Sequence, residues 1–214
     1  MRGYRFILLP LVLLVRLKRV VANRFYYPLK TLVIKKVFRL ECDNSVKFIG
    51  TTIVRAYDKD AICIGRNTKF LSGTENNLVG LTNPTVLCAC HGARITIGHD
   101  SGFSSAIIYA SESIQIGDYV KVGGNVRIID NDFHPLEWDR RRPPESGAYT
   151  RKKAIKIGND VFIGTNALIL KGSEIGDRSI IAAGSVVFGL IAPPDSMIKG
   201  NPAVIMPKER RVQH

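Results

Sequence analysis

An aliphatic residue recurs at every sixth position in the C-terminal half of this chain, and this repeat restricts the possible folds more than any other feature. The positions are Ile157, Ile163, Ile169, Ile175, Ile181 and Val187. Gly or Ala often follows the aliphatic residue, as in Ile157-Gly158 and Ile181-Ala182. A period of six fits neither an amphipathic helix nor one long strand, whereas it fits short strands separated by turns.

The repeat predicts a chain wound into flat-sided coils. The aliphatic residue points inward and stacks on its equivalents in neighbouring coils, while the small residues permit the tight bends. With three sides, a coil takes about eighteen residues, and coils stack at about 4.8 Å, the spacing of neighbouring strands. The predicted fold class is therefore all-β, a parallel β-helix. Looser copies of the repeat stand upstream at Ile49, Ile64, Ile97, Phe103, Ile116, Val122 and Ile128.

The first 40 residues differ from the rest in charge. The net charge is +13, and residues 1 to 40 contain ten Lys or Arg and no Asp or Glu, which leaves +3 for residues 41 to 214. A nucleic-acid-binding protein usually carries its basic face on the folded domain, not on an apolar leader. We therefore predict no nucleic-acid partner and a helical leader that contacts an anionic membrane surface.

The apolar run of this leader, Phe6 to Val15, is interrupted by Pro10 and is shorter than the roughly 20 residues that cross a bilayer. A secretory signal is the rival interpretation, but the basic residues from Arg16 onward replace a small-residue cleavage site. Interfacial helices have this basic and apolar composition. The alternative is that the leader packs on the main domain or on another subunit. The predicted location is cytoplasmic, peripheral at the inner face of the cytoplasmic membrane.

The four cysteines do not resemble a disulfide framework, and this agrees with a reduced cytoplasmic setting. Cys88-x-Cys90-His91 resembles half of a zinc motif, but no second ligand pair stands at metal-site spacing. We predict no metal.

The repeat breaks between Ile128 and Ile157, because these positions are 29 residues apart, which is not a multiple of six. This break predicts a loop over residues 131–154. We expect a leader at 1–40, a β-helix over 41–192 and a C-terminal extension at 193–214. At the root of the loop stands Asp130-Asn131-Asp132-Phe133-His134-Pro135.

The repeat and this loop resemble the hexapeptide-repeat acyltransferases, whose β-helix is left-handed, over about residues 45 to 206. The most similar group is the sugar O-acetyltransferases, which include galactoside, maltose and nodulation-factor acetyltransferases. The handedness is implied by the resemblance alone, since parallel crossovers are usually right-handed. The resemblance also implies acetyl-CoA as the donor, a sugar acceptor and a homotrimer with sites between subunits.

In the resembling enzymes, a His that begins such a loop is the catalytic base, and His134 takes that position. Imidazole, with a pKa near 6.5, can remove a proton from a hydroxyl at neutral pH. Asp130, Asn131 or Asp132 could orient the ring, and we assign this role to Asp132. For acceptor binding we predict Asn131, together with Ser104, which replaces the family's Asn-containing turn.

The resemblance also implies positions along the donor. Thr165 and Ala183 follow the repeat residues at the turns that coenzyme A contacts in relatives. Lys199 and Lys208 stand near Asn201-Pro202 and are basic candidates for the donor phosphate, with a solvated basic tail as the alternative.

The predicted function is acetyl-CoA-dependent O-acetylation of a sugar hydroxyl on a polysaccharide precursor or a lipid-linked glycan. The alternative is an N-acetyltransferase of an amino sugar nucleotide, or another small-molecule acyltransferase. A zinc-dependent carbonic-anhydrase-like enzyme needs several histidines at fixed spacing, which this chain does not supply. An inactive scaffold is the remaining alternative.

Overall fold

The computed structural model describes residues 13–14, 17–18, 20–74, 76–77, 79–80, 83–142, 147 and 149–206. Short strands wind through six complete three-stranded coils and part of a seventh, and equivalent strands pair in parallel in three sheets of seven, eight and six strands. The last strand of the eight-stranded sheet is antiparallel to its neighbour. The predicted parallel β-helix is confirmed.

Each sheet forms one side of the coil. Sheet A contains β1 (Glu41–Cys42), β4 (Ile62–Ile64), β7 (Arg94–Ile97), β10 (Ser113–Ile116), β13 (Ile155–Ile157), β16 (Glu174–Ile175) and β19 (Ile191–Ala192). Sheet B contains β2 (Lys47–Ile49), β5 (Lys69–Leu71), β8 (Gly102–Ser104), β11 (Lys121–Val122), β14 (Phe162–Ile163), β17 (Ile180–Ile181), β20 (Met197–Gly200) and β21 (Ala203–Met206). Sheet C contains β3 (Thr52–Ala56), β6 (Thr85–Ala89), β9 (Ile107–Ala110), β12 (Arg127–Ile129), β15 (Leu168–Leu170) and β18 (Val186–Val187).

The core consists of inward-facing stacks along the three sheets. The six residues of the hexapeptide repeat are all buried. Ile157 pairs with Ile175, Ile163 with Ile181, and Ile169 with Val187, so the repeat residues of one coil lie on those of the next.

In the early coils the inward stack of sheet B is aromatic. The rings of Phe48 and Phe70 lie 5.0 Å apart with an interplanar angle of 12°, and those of Phe70 and Phe103 lie 4.9 Å apart at 17°. Here the predicted repeat position Ile49 is wrong by one residue, because Phe48 is fully buried and Ile49 is only half-buried. Neighbouring residues of a strand face opposite sides, and the larger aromatic side chain takes the interior.

Part of the leader caps the first coil, which consists of β1 to β3. A π-helical turn (Ala22–Tyr26) leads into α1 (Tyr27–Val37), which packs against β2. Thr31 and Ile34 of α1 are buried, and Lys30 Nζ donates to the carbonyl of Gly50. Residues 1–12 of the predicted leader lie outside the described residues. None of the helices described is long and apolar enough to cross a membrane.

The predicted loop leaves the β-helix between β12 and β13. Its two ends pair with each other through an antiparallel bridge between Asn131 and Lys152, and Lys153 N donates to Asp130 O at 2.9 Å. The stacking of coils continues across the loop, since Ile128 pairs with Ile169. A second loop between β5 and β6, which includes the described residues 72–74, 76–77, 79–80 and 83–84, was not predicted.

Candidate functional site

His134 projects from a tight turn at the root of the loop. His134 N donates to Asp132 O at 2.6 Å, which closes a three-residue turn with Phe133 at a φ of +59°. Eleven other non-glycine residues among those described also have a positive φ, so this conformation is common in the turns of the chain and does not by itself mark a site. The His134 side chain is exposed, and within the described part of the chain it has no hydrogen-bond partner. The imidazole is therefore accessible to solvent.

The two residues that begin the loop build its root. The Asp130 carboxylate is buried and accepts hydrogen bonds from the backbone N–H groups of Ser111, at 2.7 Å, and Glu112, at 2.8 Å. Asn131 is also buried, and its Oδ1 accepts from Phe133 N at 2.8 Å. Both side chains are therefore occupied within the root. The predicted acceptor contact by Asn131 would compete with these bonds.

Asp132 is paired with a residue that the sequence analysis missed. Its Oδ1 lies 2.5 Å from Nζ of Lys171, which follows β15 in the next coil, and Lys171 Nζ also lies 4.5 Å from the ring centroid of Phe188. The other oxygen of Asp132, Oδ2, is buried without a hydrogen-bond partner among the residues described. Register across the loop could have revealed Lys171: Ile129 pairs with Leu170, so Lys171 lies beside the loop root.

Tyr109, on β9 of the preceding coil, packs against the turn. Its ring contacts that of Phe133 edge-on, with centroids 4.9 Å apart. The Sγ of Cys90 lies 3.4 Å from the Tyr109 hydroxyl, and this hydrogen bond, followed by burial, raises the pKa of Tyr109. The phenol is neutral at physiological pH and serves as a packing surface.

The predicted donor positions lie on another edge, the B–C corner, where each coil turns from sheet B to sheet C. Thr165 Oγ1 accepts from the backbone N–H of Gly124 at 2.9 Å, and Ala183 is exposed on the following coil. A Cβ added to Gly164 would lie 2.4 Å from Ala183 N, so successive coils are in close contact there. The corner is thus lined by small side chains, and a long ligand could approach its backbone.

The remaining predicted residues are Ser104, Lys199 and Lys208. Ser104 ends β8 at the same corner, and its Oγ accepts from Asn77 Nδ2 of the second loop at 3.0 Å. Lys199 is exposed on β20. Lys208 lies outside the described residues.

Sheet C separates His134 from the B–C corner. Thr165 and Lys171 stand at the two ends of one side of a coil, and six residues span about 20 Å because a strand rises about 3.3 Å per residue. A single protomer therefore does not bring His134 to Thr165 or Ala183.

The outer face of sheet C between these edges is mostly apolar, with Arg55 and Arg127 as its charged residues, whereas that of sheet A is mostly polar, with Arg94, Gln115, Lys156 and Glu174. An apolar sheet face of this kind is typical of a protein contact. The outward residues of sheet C include Ile53, Val86, Ile107, Tyr109, Ile129, Leu168, Leu170 and Val186.

In the part of the chain that is described, no three His, Cys, Asp or Glu side chains lie close enough together to hold a metal ion. The four cysteines are free.

Comparisons with known proteins agree with the fold. The family model "Bacterial transferase hexapeptide (six repeats)" matches residues 154–189. Galactoside O-acetyltransferase of Escherichia coli is 33% identical over 118 residues, 54% of this chain and 55% of that protein. YJL218W of Saccharomyces cerevisiae, whose name assigns it to the acetyltransferases, is 30% identical over 179 residues, 71% of this chain and 85% of that protein.

Solved structures share the architecture at low sequence identity. AntD, an N-acyltransferase from Bacillus cereus in complex with dTDP and 3-hydroxybutyryl-CoA, superposes with a TM-score of 0.62 at 16% identity, covering 85% of this chain and 89% of that one. A maltose O-acetyltransferase from Clostridium difficile gives a TM-score of 0.57 at 24% identity, covering 92% and 84%.

The coils, the repeat and these matches define the class, a hexapeptide-repeat protein with a left-handed β-helix. The chain belongs to the hexapeptide-repeat acyltransferase family, and the predicted resemblance is confirmed. The match with the E. coli galactoside O-acetyltransferase spans about half the length of that protein.

Proposed function

We propose that this protein is an acetyl-CoA-dependent O-acetyltransferase acting on a sugar hydroxyl of a polysaccharide precursor or lipid-linked glycan, with His134 as the general base. The observation that carries the proposal is the tight turn at the loop root, which presents an exposed imidazole that has no hydrogen-bond partner among the described residues. The galactoside and maltose O-acetyltransferases among the similar proteins support a sugar hydroxyl as the acceptor.

In the proposed reaction the neutral imidazole removes the proton of the acceptor hydroxyl as its oxygen attacks the thioester carbonyl. The tetrahedral intermediate then collapses, the carbon–sulfur bond breaks, and the imidazolium returns the proton to the sulfur of coenzyme A. Backbone N–H groups at a coil corner are donors of the kind that stabilise the oxyanion. No covalent acyl-enzyme is required, because both substrates occupy one site.

The proposal includes a homotrimer with sites between subunits. His134 and the predicted donor positions lie along opposite edges of sheet C, so a complete site requires the C–A corner of one protomer, where His134 lies, to meet the B–C corner of another. The apolar outer face of sheet C is the surface that such an assembly would bury. Light scattering should give three times the mass of the chain, and a monomer with full activity would contradict this arrangement.

We also propose that the leader holds the enzyme on the inner face of the cytoplasmic membrane. Phe25, Leu29, Val33 and Val37 are 68%, 62%, 52% and 64% exposed on the helical segment, away from the first coil. Exposed basic residues such as Lys36 accompany them. An anionic lipid surface satisfies both features, because apolar side chains enter the headgroup region while Lys and Arg attract its charge.

N-acylation of an amino sugar nucleotide is the second candidate. The observation in its favour is the likeness to AntD, an N-acyltransferase solved with dTDP, which is a likeness of fold. The same base and donor positions would serve an amine. An acceptor panel of sugars, nucleotide amino sugars and lipid-linked glycans separates the two candidates.

The central experiment measures acetyl-CoA consumption against this panel by the wild type and by His134→Ala. Loss of general base catalysis should lower kcat by about 10² to 10⁴-fold without unfolding the coils. His91→Ala is the matched control, because His91 is also exposed at a coil corner, where it pairs with Asp58. Full turnover in His134→Ala would overturn the assignment of the base.

The membrane proposal needs a substitution rather than a deletion, because α1 buries Thr31 and Ile34 against the first coil. Leu29→Glu/Val33→Glu should abolish co-sedimentation with phosphatidylserine vesicles and leave activity on soluble sugars unchanged. Ile191→Glu is the control, since Ile191 is 69% exposed on sheet A. Equal vesicle binding by the double variant and the wild type would refute the lipid contact.

A further inference from the structure

We propose that Lys171 is a positioning residue of this site: it holds one oxygen of Asp132 and leaves the other free to accept a hydrogen bond from the His134 imidazole. The inference rests on His134 as the base of the proposed function. It adds a residue from the next coil that neither the loop nor its sequence motif contains.

The pair is unusual for its burial. The side chains of Lys171 and Asp132 are only 13% and 19% exposed. The other Lys and Arg ion pairs among the described residues are more exposed, as with Arg94 and Glu41 at 58% and 68%. A buried ion pair contributes little net stability compared with apolar side chains of similar volume, because both charges lose their hydration. The pair therefore calls for a role other than stability.

The free oxygen indicates that role. Asp132 Oδ2 is inaccessible and lacks a hydrogen-bond partner among the described residues, although a buried carboxylate oxygen normally accepts at least one hydrogen bond. The turn places His134 two residues away and ties its backbone N–H to Asp132 O at 2.6 Å. Rotation of the exposed imidazole toward Asp132 would supply the missing donor from a ring N–H, and this bond would orient the opposite ring nitrogen toward the acceptor.

Other charged groups around the root are already occupied. The Asp130 carboxylate accepts two backbone N–H bonds, and Glu137 Oε1 pairs with Arg151 Nη2 at 2.6 Å. Among the described residues, Asp132 Oδ2 is the carboxylate oxygen that is buried without a hydrogen-bond partner. The remaining cations are Arg141, bonded to the carbonyls of Pro135 and Leu136, Lys152, bonded to the carbonyl of Ser111, and the exposed Lys153.

The balance of charge follows from this geometry. With Lys171 present, the carboxylate beside the imidazole is compensated. Without Lys171, an uncompensated negative charge would stabilise the protonated imidazole, which cannot act as a base. Loss of the ammonium should therefore shift the acid limb of the pH–rate profile to higher pH, which a purely structural role for the pair would not do.

The experiment compares Lys171→Met with the matched control Lys156→Met, because Lys156 lies in the same coil and pairs with Glu174 in solvent, at 3.8 Å. The His134 ring resonance, assigned through its absence in His134→Ala, is titrated by NMR in the full-length protein. In Lys171→Met the titration midpoint should rise by about one pH unit. It should return to the wild-type value in Asp132→Asn/Lys171→Met, which has neither charge. An unchanged midpoint in folded Lys171→Met would overturn the proposal.

Two further variants keep the test decisive if Lys171→Met does not fold. Lys171→Arg retains the charge and should titrate like the wild type, while Asp132→Asn, which retains Lys171, should lower the midpoint. An unchanged midpoint in folded Asp132→Asn would equally refute the coupling. The NMR titration needs no acceptor, so the two proposals are tested separately. Full activity in His134→Ala would refute His134 as the base and would leave the titration result unchanged. An unchanged midpoint would refute the coupling of Lys171 and Asp132 to His134 and would leave the role of His134 as the base unchanged.

Discussion

The aromatic stack of sheet B offers a quantitative test of the coil register. Phe70 lies between two rings, with centroids 5.0 Å from Phe48 and 4.9 Å from Phe103, whereas each of these outer rings touches only one other ring of the stack. All three side chains are fully buried. Substitution by Leu therefore removes similar buried surface at each position, but two stacked pairs at Phe70 and one at Phe48.

The expected difference follows from the number of pairs. A stacked aromatic pair contributes about 0.5–1.5 kcal/mol beyond the burial of its surface. Phe70→Leu should therefore reduce the free energy of unfolding by about 1 kcal/mol more than Phe48→Leu or Phe103→Leu. The smaller volume of Leu affects all three variants alike and largely cancels in this comparison.

Urea unfolding monitored by circular dichroism measures the difference. The protein concentration must be the same throughout, because association would make the apparent stability depend on it. The slopes of the transitions should agree, so that the midpoints report stability alone. Equal losses for the three variants, or a larger loss for Phe48→Leu, would show that the rings do not stack in this register.

Two further perturbations follow from the corners and the thiols. Gly164→Ala should destabilise the protein by about 1–3 kcal/mol in urea, because the added Cβ would lie 2.4 Å from Ala183 N; Gly102→Ala, with its nearest neighbour at 3.7 Å, should be tolerated, and equal effects would contradict the steric reason. Burial raises the pKa of the Cys42 and Cys88 thiols to about 11 from a reference of 9.0. As the pH rises, the unfolded chain loses these protons before the folded chain does, so the free energy of unfolding should fall between about pH 9 and 11. Substitution of both thiols by Ala should flatten melting temperatures across that window, and an unaltered slope would refute this origin.

Much of the fold could be predicted because one residue type recurs at one spacing. Ile163, Ile169 and Ile175 are separated by regular intervals, and each proved to be an inward residue of a different sheet. Ile49 was wrongly predicted to point inward because Phe48 and Ile49 are both apolar, and two adjacent apolar residues do not show which of them faces the core. Handedness could not follow from spacing, since a six-residue side is compatible with either hand.

The sequence allowed prediction only of those site residues that are close to one another along the chain. His134 stands where the repeat breaks, and a break is visible in sequence. Lys171 was missed because it lies 39 residues from Asp132 in the chain, and the stacking of one coil on the next is what brings the two side chains together. Asn77, which binds Ser104 Oγ, lies in the second loop, where the loosely spaced early repeats conceal the insertion.

The two ends of the coil stack also control association. An uncovered β-strand offers unpaired N–H and C=O groups on which another molecule can add a strand, and stacked coils would then grow into fibres. Here α1 packs on β2 at one end, and β21 folds back antiparallel onto β20 at the other. A neighbouring molecule that approaches sheet B at the last coil meets a strand running in the opposite sense. Strand addition at the two ends of sheet B is thereby disfavoured, and the sides of the β-helix are the surfaces that the proposed assembly would use.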